Sequence, residues 1–142
     1  MRDLVNNLLS EYSLCQVVTT AVDGVGKNLT GYEGALAVLA AGILGGTSTP
    51  TLTFKLQESD VLGSGYTDVA DIDIVCANKD TIVTPFGTVI IVAATDELVH
   101  VRGYRGTKTF LRWICSAASG TSPTAPICGL IVKGFPRSAP VS

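Results

Sequence analysis

The residues of this 142-residue chain best equipped for chemistry are few. They are one histidine, His100, four cysteines, Cys15, Cys76, Cys115 and Cys128, and the closely spaced aspartates Asp68, Asp71 and Asp73. Nucleophilic catalysis needs a base positioned beside the nucleophile, and one histidine leaves little choice. In LVHVRGY, His100 alternates with Arg102 while Val99 and Val101 take the opposite face, the pattern of an ordinary strand histidine. No two cysteines form CxxC, and with one histidine they make no structural zinc set. Cys115 and Cys128 stand in apolar runs, and the cysteines read as free, buried thiols. In YTDVADIDI, Asp71 and Asp73 can project from one strand face toward a divalent cation, or act as a carboxylate pair in hydrolysis. Solvated strand or turn carboxylates are the simpler reading, because nothing marks a substrate cleft around them. Gly24, Gly26 and Gly31 are not followed by the Lys-Ser/Thr of a phosphate loop, and GYRGTK lacks its spacing. The expectation is a non-enzymatic protein with no catalytic residue, metal or cofactor.

Charge is concentrated elsewhere. The run HVRGYRGTKTFLRWI carries Arg102, Arg105, Lys108 and Arg112, four of the ten Lys and Arg residues. All twelve carboxylates lie between Asp3 and Glu97, so the first 97 residues carry −8 and the remainder +6. This polarity favours oriented contacts between protein surfaces, and the net charge of −2 argues against direct nucleic-acid binding. Tyr104, Phe110 and Trp113 lie close by, but Phe110 and Trp113 have opposite parity and cannot share one regular strand face for base stacking. The basic residues are therefore expected to meet protein carboxylates or carbonyls, within the fold or on a neighbour. Arg102, Arg105, Lys108 and Arg112 are candidate interface residues. Gly103 and Gly106 make room for a tight connection, and Val101, Phe110 and Ile114 are core candidates.

The elements that must position these groups are strands. TLTFKLQES alternates Leu52, Phe54 and Leu56 with polar residues, as a half-buried strand requires. CQVVTTAV, ALAVLAA, TVIIV, LVHVRGY, FLRWICSAA and CGLIVKG add further β signals, with Pro85 marking an edge or a break. LGGTSTP and SGTSPTAP read as connections, the second of them flexible. The chain is predicted to be all-β, a jelly-roll-like β-sandwich of about seven to nine short strands with extended termini. Its divisions are an N-terminal arm or short helix over 1–12, a sandwich domain over 13–134 and an extended tail over 135–142. The tail residues Phe135, Pro136, Arg137 and Pro140 join the interface candidates, since prolines lower the entropy lost on docking. The N-terminus lacks the continuous apolar stretch of a signal peptide, and the run 34–44 is too short for a membrane helix. Only 15% of residues are charged and 46% are hydrophobic, which suits either a Ser/Thr-rich β surface or a protein largely covered by neighbours.

As a set, TFKLQESD, GYTDVAD, VRGYRGTKTFLRW and GLIVKGFPRSAPV resemble a family of small virion structural proteins of tailed bacteriophages, close to capsid cement or decoration proteins. The resemblance runs from about Thr51 to Val141. Its positions here are Leu56 to Ser59, Tyr66 to Val69, Gly103 to Arg112, and Gly134, Pro136, Arg137, Ala139 and Pro140. It departs from looser relatives in the cysteines and tryptophan of its late strands. The resemblance implies synthesis in the host cytoplasm and a place on the capsid exterior. The implied partner is the major capsid protein, with neighbouring copies of the chain as further contacts. Such a protein bridges capsid subunits and stabilises the head, because contacts present only in the assembled lattice deepen that state. Other readings are a head-tail connector or tail structural protein, and a virion-surface carbohydrate-binding module using Tyr66, Tyr104 and Trp113.

Overall fold

The structure, a computed structural model, describes residues 7–76 and 85–136. Its ten strands are β1 (Leu8–Val18), β2 (Val22–Asp23), β3 (Lys27–Asn28), β4 (Tyr32–Ala41), β5 (Gly45–Ser59), β6 (Thr67–Asp68), β7 (Ile74–Cys76), β8 (Thr88–Ile91), β9 (Val99–Tyr104) and β10 (Phe110–Pro136). The expected all-β sandwich is what forms. The strand number differs from seven to nine because β2, β3 and β6 are two-residue pairings, while β10 runs unbroken for 27 residues.

Every pairing is antiparallel, and β10 is the common member. Its C-terminal half lies between β1 and β4, and β9 then β7 continue from β4 to give a front sheet ordered β1-β10-β4-β9-β7. Its N-terminal half lies between β5 on one side and β2 and β3 on the other, and β6 and β8 pair with the far edge of β5 to complete a back sheet. The chain thus turns from one layer to the other inside β5 and β10 themselves. Residues 44–50 and 119–126, which read as connections, are mostly strand there. Bulges between Ser119 and Thr121 and between Thr121 and Thr124, with positive φ at Gly46, Ser48, Thr49, Gly120 and Ser122, absorb the bend. Strands that switch sheets at a corner use such bulges.

The core fills the space between the layers. Leu39, Leu52, Phe54, Leu56, Ile91, Leu111, Trp113 and Ile131 are almost completely enclosed, each stabilising the fold by about 1.5–3 kcal/mol. Trp113 on the back sheet packs on Gly129 of the front sheet, where a Cβ would stand 2.9 Å from the indole. The amide of Trp113 donates to Ser13 Oγ at 3.0 Å, and that hydroxyl donates to the Val25 carbonyl at 2.9 Å, tying β1 to the back layer. Two of the three core candidates near the basic run are corrected. Leu111 and Trp113 point inward, so Phe110 is only half-buried, and Val101 lies half-buried on the outer front face, whereas Ile114 is buried. Leu8–Tyr12, read within an arm or short helix, is extended and pairs with β10. At the other end Phe135 and Pro136 complete β10, and Pro136 pairs with Tyr32.

Candidate assembly surface

The basic run is engaged inside its own fold. Arg102 is 3% exposed, and its Nε and Nη1 donate to the carbonyls of Phe86 (2.8 Å) and Val101 (3.0 Å). Burial makes it unfit as a docking charge, which corrects its place among the interface candidates. Arg105 donates from Nε to the Ile72 carbonyl at 2.7 Å, pinning the end of β9 to the 3-10 turn Asp71–Asp73. Lys108 pairs with Asp60 at 2.6 Å, and this contact holds the Asp60 carboxyl below its ordinary range. Arg112 donates to Gln57 Oε1, pairs with Asp23 at 3.1 Å and stacks 4.0 Å from the Tyr66 ring centroid. Carboxylates and carbonyls are the partners of these cations, as expected, but they belong to the same chain. Phe135 is 72% exposed at a positive φ of 54°, its ring beside Gly34. Arg137 and Pro140 lie outside the described residues, as does the side chain of Pro136.

The unusual surface is the outer side of the front sheet. On β9 the polar residues face in: His100, Arg102 and Tyr104 are each at most 5% exposed, whereas Val99 is 53% exposed. Ala37 stands opposite Arg102 in the register, which leaves space for the guanidinium beneath the sheet. Tyr104 donates to Glu58 Oε2 at 2.6 Å across the layers and accepts the Lys108 amide at 3.1 Å. Burial, then that carboxylate, push the phenol far above its usual range. Gly106 is required here, because the Tyr104 ring occupies the place of a Cβ.

The register extends the uncharged outer surface across the layer. Tyr12, Leu130, Val38 and Val101 form one outward row, and Cys15, Cys128, Ala40 and Val99 form the next. A third row runs Ser10, Val132, Leu36, Gly103 and Val75. The bulge between Tyr12 and Leu14 switches the outward parity of β1 and keeps Cys15 and Val17 on this side. These rows contain no charged side chain. A sheet with one side in water normally alternates apolar-in and polar-out, and strands apolar on both sides are those covered on both sides. Apolar patches of this extent mark interaction sites.

The remaining candidates separate. Cys115 is buried, but Cys128 is half-buried and Cys15 exposed, so the expectation of buried thiols fails for Cys15; all three are free. Cys15 and Cys128 are direct cross-strand partners, and burial followed by the neighbouring Cys15 thiol raises the Cys128 thiol. Asp71 and Asp73 lie in the 3-10 turn rather than on a strand face, and the Phe86 amide donates to Asp71 Oδ1 at 2.7 Å. Among the described residues, no three His, Cys, Asp or Glu side chains converge as metal ligands. Trp113 and Tyr104 are buried and Tyr66 is covered by Arg112, so the three aromatics form no common platform. An open cleft of about 460 Å³ lies at one end of the sandwich, between the Leu29–Ala35 and Tyr104–Thr109 segments. Compared with protein-family models, curated proteins and solved structures, the chain gives no match. The outer front face is thus the broadest uncharged surface among the described strands. Its signals in the sequence were the inverted polarity of LVHVRGY and the unbroken apolar run of β4.

Proposed function

We propose that this chain is a non-enzymatic virion structural protein, a cement or decoration protein that bridges major capsid subunits and stabilises a bacteriophage head. One observation supports it above the others: a five-strand face without a charged side chain, built to be covered. The resemblance of the stretch from about Thr51 to Val141 to phage virion proteins supplies the setting. The role needs rigidity more than chemistry, and β10, shared by both layers, supplies it. A cement acts by mass action, since binding only the assembled shell adds stability to that shell. Many equivalent sites then turn modest contacts into high avidity.

Purified protein added to expanded capsids lacking it is expected to bind at saturable sites and raise their resistance to heat. Capsids that neither bind it nor gain resistance would overturn the reading. A connector or tail component would use the same kind of covered surface. A cryo-microscopy map of the virion separates the two by position.

A further inference from the structure

We propose that the partner covering the outer front face is a second copy of this chain, packed face to face about a twofold axis. This rests on the reading of that face as an assembly surface and names its occupant. Area is the first argument. Thirteen outward positions on strands spaced about 4.8 Å apart, in rows about 6.8 Å apart, give roughly 420 Å² in projection before side-chain relief is added. That flat projection is already about half of the roughly 800 Å² of accessible surface per partner in a stable protein interface.

Charge and shape are the second argument. A partner chosen by electrostatics needs a charged surface to read, and these rows offer none. An isologous interface sets a patch against itself, and an uncharged patch does so in any register without opposing like charges. Two copies of one twisted sheet also match in shape. Aligned sheets stack about 10 Å apart with strands crossing near −30°, and identical twist meets that condition automatically. Small and medium side chains, Ala40, Val38, Val101, Cys128 and Val132, give the shallow relief that sheet-on-sheet packing requires. The pair would be a four-layer stack with the two front sheets at its centre and the Cys15–Cys128 ladder inside the contact.

Sedimentation equilibrium of the full chain under reducing conditions tests this. The expected mass is twice the 14.7 kDa chain mass at micromolar concentration. Val38→Glu, central in the face, should shift the dimer constant at least 100-fold toward monomer. Should that variant fail to fold, Val99→Lys and Ser10→Lys place charge at exposed positions on opposite sides of the face. Either should weaken the dimer at least tenfold with an unchanged melting temperature at low concentration. A wild-type chain monomeric at 100 µM overturns the inference, as does a dimer indifferent to all three substitutions. A monomer that floats with neutral phosphatidylcholine vesicles also overturns it and assigns the face to lipid. Capsid decoration by a monomer overturns the dimer and leaves the cement reading standing, whereas a dimer that ignores capsids does the reverse.

Discussion

Among the described residues, Trp113 is the largest fully buried side chain, and its Nε1–H finds no acceptor there. An orphaned buried donor costs about 1–3 kcal/mol, so the indole holds its place by contact area and by its fit over Gly129. Trp113→Phe removes the orphan with part of the area and is expected to cost no more than about 1.5 kcal/mol. Trp113→Ala removes nearly all the contact and should cost about 3–5 kcal/mol. Urea unfolding followed by circular dichroism measures both, because the only tryptophan is the residue replaced. At the same scale, His100 and Arg102 show what residue types can tell. Their alternation with Val99 and Val101 was plain in the sequence. Which side faced the core was not, because a period of two says only that the faces differ. The assumption that valine points inward fails because β9 sends its polar side chains into the fold and its valines out.

Among the elements, β5 and β6 are joined by a charge pair at the edge of the back sheet. Lys55 and Gln57 on β5 donate to Asp68 on β6, at 2.6 and 2.9 Å. Partial burial alone would raise the Asp68 carboxyl, but the two donors outweigh it and hold the group below its ordinary value. Asp60 is depressed likewise by Lys108. A carboxyl with a lower pKa folded than unfolded stabilises the fold above its unfolded value, near 3.8 for both groups. That contribution is lost as pH falls through the folded value. Melting temperature is therefore expected to drop below pH 4, and Asp68→Asn should flatten part of the drop by lowering the melting temperature at pH 7 while changing little at pH 2. A titration of melting temperature from pH 2 to 7 on both proteins reads this. The strands bearing these pairs were legible where polar and apolar residues alternate, as in TLTFKLQES. The corner was not legible, because Gly, Ser, Thr and Pro signal a turn and a bulged strand equally well. Only long-range pairing with the partner strand distinguishes the two, and no local window contains it.

At the scale of the molecule, the all-β class followed from strand density and turn composition, whereas the uncharged outer face did not. The charge polarity drew attention to Arg102, Arg105, Lys108 and Arg112, whose partners lie in the same chain. The uncharged sheet face became visible only once the register aligned five strands. The central strand also sets a clock for biosynthesis. β1, β2, β3, β4 and β5 all pair with β10, so strands finished by Ser59 wait for Phe110–Pro136 before either layer can close. At translation rates of about 5–20 residues per second that wait is roughly 4–15 s. Nascent chains arrested with 105 residues exposed should be digested rapidly by protease and captured by chaperones, whereas chains released at full length should resist. A protease-resistant product from the arrested chain would show that a layer closes without its middle strand. During those seconds the growing polypeptide displays sticky, unpaired edges to any identical copies being made beside it. Successful maturation therefore depends on how fast translation finishes relative to how often two unfinished chains collide.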